Sequence, residues 1–315
     1  MATIQGVLGP IDTADLGFTL MHEHVIIRSA GLSEQFPSTY PRAEVIARAT
    51  DCLAEARAHG VKTVVDLTPA DLGRDVEAVA EVARRSGMQV VVATGIYWQP
   101  PRYFQSRPPE AAAALFARDI AEGIAGTGIR AGIIKVATDE TGLDRGVLTI
   151  LRAAAMAHRA TGAPISTHTN ARMRTGVLQQ EVFASEGVDL SRVVIGHSGD
   201  TTDLGYLRGL MARGSMIGMD RFGIDRFLPT ADRVRVIADL CREGYAGSMV
   251  LGHDANCWWD WSPVEAVRRA MPDWHLLFIP TRVVPELRQA GVSDGDITRM
   301  TTENPRVFLE RQGAY

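Results

Sequence analysis

The chain has 315 residues, 46% of them hydrophobic and 22% charged, with a formal net charge of -4 and a pI near 6.1. Those proportions are typical of a globular protein with ample core, exclude disorder, and leave no basic stripe for a nucleic-acid backbone. No run approaches the roughly 18–20 apolar residues that cross a bilayer, and the N-terminus lacks a charged segment followed by an apolar one, so the expectation is a cytoplasmic protein with neither membrane nor nucleic acid as partner.

Short β-branched runs alternate with amphipathic segments from end to end without a break in composition. The pattern predicts strands near 17–22, 61–68, 89–97, 131–138, 163–169, 192–198, 215–222 and 249–254, separated by helices such as 43–59, 147–161 and 230–244. Eight strands each followed by a helix predict a (β/α)8 TIM barrel, and the length suits one barrel domain over residues 1–315. A doubly wound sheet is the competitor, but no G-x-G-x-x-G follows the first strand. Two connections are long: Trp98 to Pro109, and the segment after the eighth strand with Trp258, Trp259, Trp261, Trp274 and His275. Long loops on a compact scaffold are candidate pocket walls.

Cys52, Cys241 and Cys257 are scattered without a C-x-x-C pair, so no disulfide framework or thiolate metal site is indicated. Catalytic groups of such barrels sit where strands end. Collecting those ends gives His22 and His24 on the first strand, Lys135 on the fourth, His168 on the fifth, His197 on the sixth and Asp254 on the eighth. Side chains two apart on a strand share a face, so His22-Glu23-His24 aims two imidazoles at one point. Alone, that motif balances between a metal pair and two idle histidines; the other strand ends favour metal. His59, His158 and His275 fall in helical or loop patterns, and His253 should turn from Asp254 into the barrel wall.

Only Lys62 and Lys135 among 33 basic residues are lysines. Lys135 lies in an apolar strand, where an unpaired ammonium is expensive. A buried ion pair is one explanation. The other is that a neutral amine can add CO2 to form a carbamate, whose two oxygens can bridge two cations, which arginine cannot do.

The segments Gly9–Asp12 (GPID), Leu20–His24 (LMHEH), Ala131–Lys135 (AGIIK), Pro164–His168 (PISTH), Val194–Asp200 (VIGHSGD), Gly218–Gly223 (GMDRFG) and Gly252–Asp254 (GHD) span nearly the whole chain. In that order they resemble the phosphotriesterase family of the amidohydrolase superfamily, specifically its phosphotriesterase-like lactonase branch. The resemblance implies an amidohydrolase-type barrel and a homodimer. It implies two divalent ions, zinc foremost with cobalt, iron or manganese also suited. His22, His24 and Asp254 would hold the buried ion, His168 and His197 the more exposed one, and carbamylated Lys135 would bridge them. A metal-bridging hydroxide would then open lactones, such as N-acyl-homoserine lactones (quorum quenching) or other γ- and δ-lactones, with promiscuous phosphotriesterase activity. Organophosphate hydrolysis as the main activity, or another two-metal amidohydrolase, is the alternative. Asp254 would take and pass on a proton. By the same resemblance Tyr97 and Arg221 would stand beside the metal pair and the lactone, and Trp261, Trp258 and Cys257 would line the acyl side. Asn256, where some relatives carry cysteine, and the bulky Trp258-Trp259 pair bear on substrate preference.

Overall fold

The computed structural model describes residues 2–310 and 313–315. A short antiparallel hairpin, β1 (Thr3–Gly6) and β2 (Gly9–Asp12), precedes the main sheet. That sheet contains β3 (Thr19–Ile27), β4 (Thr63–Asp66), β5 (Gln89–Gly95), β6 (Ile133–Thr138), β7 (Ile165–Thr169), β8 (Val193–Ile195), β9 (Met216–Met219), β10 (Met249–Leu251) and β11 (Asn256–Trp259). Every neighbouring pair is parallel, and the order is sequential from β3 to β10 with β11 on the far side of β3. β11 prolongs the path of β10 and pairs with β3 from Asn256 opposite His24 to Trp259 opposite Ile27. Asp254 N donates to His22 O at 2.9 Å and His24 N to Ala255 O at 2.8 Å. These bonds close the sheet into the expected (β/α)8 barrel.

The helices form where periodic apolar residues meet clear end signals. Arg145–Thr161 begins at Asp144, whose side chain accepts from Val147 N, and stops at Gly162 in the left-handed region, φ 78°. Its inward face of Val147, Ile150, Leu151 and Ala154 packs against the strands. Arg42–Ala58 and Thr230–Arg242 match the helices expected near 43–59 and 230–244. Inside the barrel Met21, Val65, Val91, Ile133, Val194, Met216 and Val250 fill the bore, while Ile4, Leu16, Phe308 and Leu309 join the same cluster. Gly95, at φ 121°, lets β5 press on β6, since a Cβ there would stand 1.9 Å from Lys135 O. Among the described residues no helix is long and apolar enough to cross a membrane.

One expectation changes at the first strand. It runs to Ile27 rather than ending near residue 22, because pairing with β11 holds its second half extended. His22 and His24 therefore lie within a buried strand. Glu23, between them, faces outward into the wall and is fully buried. Its Oε1 accepts from His253 N and His253 Nδ1, each at 2.7 Å, and its Oε2 from Ala255 N at 3.0 Å. Ile279 N donates to His253 Nε2 at 2.9 Å, which fixes the proton on Nδ1 and turns this ring away from the barrel mouth.

Glu23 thus latches the first strand to the eighth. Removing a buried acceptor strands its donors. Glu23→Ala should lower the unfolding free energy by about 3–5 kcal/mol in urea titrations with chelator present, and Glu23→Gln by less. A loss below about 1 kcal/mol in the alanine variant would refute the latch.

Candidate metal centre

The strand ends bring the six expected ligand residues to one mouth. His22, His24, Lys135, His168 and His197 are buried, and the Asp254 side chain is 18% exposed. His197, Arg221 and Asp254 follow β8, β9 and β10 with φ of 57°, 61° and 54°. A left-handed conformation costs a residue with a Cβ roughly 1–2 kcal/mol. At these three turns it swings the side chain from strand direction into the mouth, a constraint held by the packed barrel.

Each histidine has one ring nitrogen fixed by an oxygen. Asp220, fully buried at the end of β9, receives His22 Nδ1 on Oδ2 at 2.8 Å and His197 Nδ1 on Oδ1 at 2.9 Å. Thr68 Oγ1 donates to Asp66 Oδ1 at 2.5 Å, so its oxygen accepts from His24 Nδ1 at 2.9 Å. Asp139 Oδ2 takes His168 Nε2 at 2.6 Å and is itself held by Asn170 Nδ2.

With those protons committed, the other nitrogens present lone pairs to the mouth. His168 Nδ1 faces His197 Nε2 at 2.8 Å. His24 Nε2 and His22 Nε2 stand 3.2 and 3.3 Å from Asp254 Oδ1. Acceptor set against acceptor at such distances is repulsive for neutral rings unless a cation lies among them. The atoms of His22, His24 and Asp254 all fall within 4.8 Å of one another, as do those of His22, His197 and Asp220. In the second group the oxygens of Asp220 hold the far sides of the rings, so Asp220 orients ligands. The donor set of imidazoles and a carboxylate fits divalent metal ions.

Ionisation follows the same logic. Burial, aided by Lys135, lowers His22; burial, aided by Arg221, holds His197 well below its usual value; burial takes His168 down to about 4. Neutral imidazole is the form that binds metal. Burial pushes the Asp254 carboxyl up, but its polar and charged surroundings, the Arg221 guanidinium among them, hold it well below the ordinary range. Lys135 Nζ lies 2.7 Å from His22 Nε2, and burial lowers it to about 8 against the opposing pull of Asp254 and Asp220. Burial thus moves the amine toward its uncharged form.

Tyr97 places its hydroxyl 3.2 Å from His168 Nδ1, its backbone N–H bonded to both Asp71 oxygens. Arg221 spans two carboxylates, Nε to Asp254 Oδ2 at 3.1 Å and Nη1 to Asp200 Oδ2 at 2.8 Å, and buried Arg233 holds the second Asp200 oxygen. Above the ligands lies a cavity of about 180 Å³ lined by Tyr97, Arg221, Leu72, Ile224, Trp259 and Trp261 among others.

Two expected wall residues lie elsewhere. Trp259 lines the cavity, while Trp258 packs on Tyr40 with ring centres 5.6 Å apart. Cys257 is buried and faces a neighbouring cavity of about 710 Å³, sharing it with Cys52 and His275. Tyr97, just before the first long connection, lines the cavity, whereas Trp98 and Pro100 within that connection border a separate surface hollow.

Sequence reasoning missed Asp220, Thr68 and Asp139. Asp220 carried a signal, a carboxylate closing the apolar β9. Thr68 and Asp139 follow strands β4 and β6, where polar residues are ordinary.

Comparison with known proteins agrees with this geometry. A model of the phosphotriesterase family matches residues 2–309. The chain is 51% identical to a phosphotriesterase homology protein of Mycobacterium tuberculosis over 100% of both chains. It is 38% identical to an aryldialkylphosphatase of Saccharolobus solfataricus over 95% of this chain and 96% of that one. The solved structure of the phosphotriesterase from Mycobacterium tuberculosis superposes with a TM-score of 0.97, covering 99% of this chain and 100% of that one at 51% identity. A barrel with convergent histidine and carboxylate ligands, matched along its whole length, places the protein in the phosphotriesterase family, as a hydrolase acting on ester bonds.

Proposed function

We propose that the protein is a two-metal lactonase with weaker activity on phosphotriesters. The observation that carries the metal centre is the facing of lone pairs between His168 and His197, and between Asp254 and both His24 and His22. In this reading His22, His24 and Asp254 hold one ion and His168 and His197 the other. Lys135, as a carbamate formed when the amine lone pair attacks the carbon of CO2 and the nitrogen releases a proton, would serve as a ligand common to both ions. When bound, the two ions supply a nucleophile from water at neutral pH and polarise the substrate oxygen.

The chain's own groups do the rest. Asp254 is ionised and, with its side chain 18% exposed, is the most exposed of the ligand residues that line the cavity, so it is the base that receives a proton and returns it to the leaving alkoxide. Arg221 fixes Asp254 through one oxygen and brings positive charge to the cavity wall, where charge on the substrate oxygen develops. Tyr97 keeps its proton, since burial and then Asp254 push its hydroxyl up, and so offers a hydrogen bond beside His168. Trp259 and Trp261 supply apolar surface for an acyl or alkyl chain. That apolar wall, together with the Tyr97 hydroxyl, favours a lactone over an aryl phosphotriester.

Three outcomes test the reading. Lys135→Ala should retain at most one ion per chain by elemental analysis and lose about a thousandfold in kcat/KM; full metal content with activity refutes the bridge. In Asp220→Asn the amide can no longer accept from both Nδ1 groups, so chelator titration should show both metal affinities weakened by about 10–100-fold, whereas loss at a single site contradicts the shared anchor. Across a substrate panel the highest kcat/KM should belong to a lactone; an aryl phosphotriester exceeding every lactone makes organophosphate hydrolysis the main activity.

A further inference from the structure

The cavity mouth carries a charge that the chemistry at its floor does not use. Arg226, in the turn after β9, lines the same cavity as Lys135 but is exposed to solvent, whereas Lys135 is 1% exposed. The guanidinium carbon of Arg226 lies 4.8 Å from the centre of the Phe227 ring, and that of Arg221 lies 4.4 Å from the same ring. Exposed Arg172 reaches Phe227 from the loop after β7, Nη2 donating to its carbonyl at 3.1 Å. Three guanidinium groups therefore gather on one phenylalanine.

Only Arg221 among them is paired, with Asp254 and Asp200. Among the described residues no carboxylate pairs with Arg226 or Arg172. Asp225, beside Arg226 in the chain, turns instead to Thr230, Oδ1 accepting from its N–H at 3.0 Å and its hydroxyl at 2.7 Å. Clustered like charges repel, and an anion among them is favourable. A guanidinium matches carboxylate, sulfonate or phosphate oxygens in geometry as well as charge. Between floor and rim the wall is apolar, built from Ile224, Phe227, Trp259 and Trp261.

We propose that Arg226 is a specificity residue selecting lactones or esters whose side chain ends in an anionic group, its apolar spacer lying on Trp259 and Trp261. The inference rests on the cavity being the lactone site and adds the substrate's charge to that reading. Arg172 adds positive charge at the same rim. A neutral acyl chain would use the apolar wall and leave Arg226 without a role.

The test compares two δ-lactones with side chains of equal length, one ending in a carboxylate and one in a primary amide, on the metal-loaded enzyme. The carboxylate substrate should show about tenfold higher kcat/KM, mostly through KM, and the ratio should shrink at high ionic strength. Arg226→Gln should bring the ratio to about one and Arg226→Glu should invert it. A wild-type ratio of one or less, or a preference that survives in Arg226→Gln, overturns the proposal. If neither lactone is hydrolysed while an aryl phosphotriester is, the lactone reading alone falls. The same ratio is then read on carboxylate-bearing and neutral aryl phosphotriesters, with the same two outcomes deciding.

Discussion

The seam between the first and eighth strands sets the geometry on which the site depends. Glu23 receives three hydrogen bonds from His253 and Ala255 across it. The residues of the latch alternate with those of the site: His22 and His24 flank Glu23, and His253 and Ala255 flank Asp254. A strand has two faces, and here one face holds the barrel shut while the other converges on the mouth. Because the period is two, a slip of one residue would exchange latch for ligands. Barrel closure and ligand register are a single constraint.

Within the mouth, arrangement is achieved by fixing protons. Asp220, Thr68 and Asp139 take the distal nitrogens of four imidazoles and so decide which nitrogen of each ring faces inward. Asp220 is shared, tying a histidine of β3 to the one that follows β8. Burial then keeps His22, His168 and His197 neutral and brings the Lys135 amine toward its uncharged form. The result is a cluster of lone pairs and one ionised carboxylate, costly by itself and favourable around cations. Three left-handed turns, at His197, Arg221 and Asp254, add backbone strain that the closed barrel sustains.

The cavity grades from this polar floor to an aromatic wall and a cationic rim. Its floor comes from strand ends. Its wall and rim come from the turn after β9, from the end of β11 and from the loop beyond it, where Arg226, Trp259 and Trp261 stand. Chemistry and selectivity are thus carried by different parts of the fold, as expected of a barrel whose loops can vary without disturbing the strands.

Periodicity and spacing determined the barrel, and the strand ends named six residues that do meet at the mouth, because a strand's direction and alternation are local properties. The lysine in an arginine-dominated chain likewise stood out by composition. Trp259 and Trp261 line the cavity while Trp258 and Cys257 lie outside its lining, and the segment carrying them pairs with β3 as a strand, a contact across more than two hundred residues. Asp220 carried a signal as a carboxylate closing an apolar strand, but it, Thr68 and Asp139 acquire their roles only by touching histidines from other strands. Arg226 is one arginine among many until the fold sets it, unpaired, at the rim of the cavity. The sequence by itself determined which residues share a face of each strand. The tertiary structure decided which faces meet, which nitrogen of each ring points inward and which charges are left unanswered, since those depend on distances that only closure of the barrel sets.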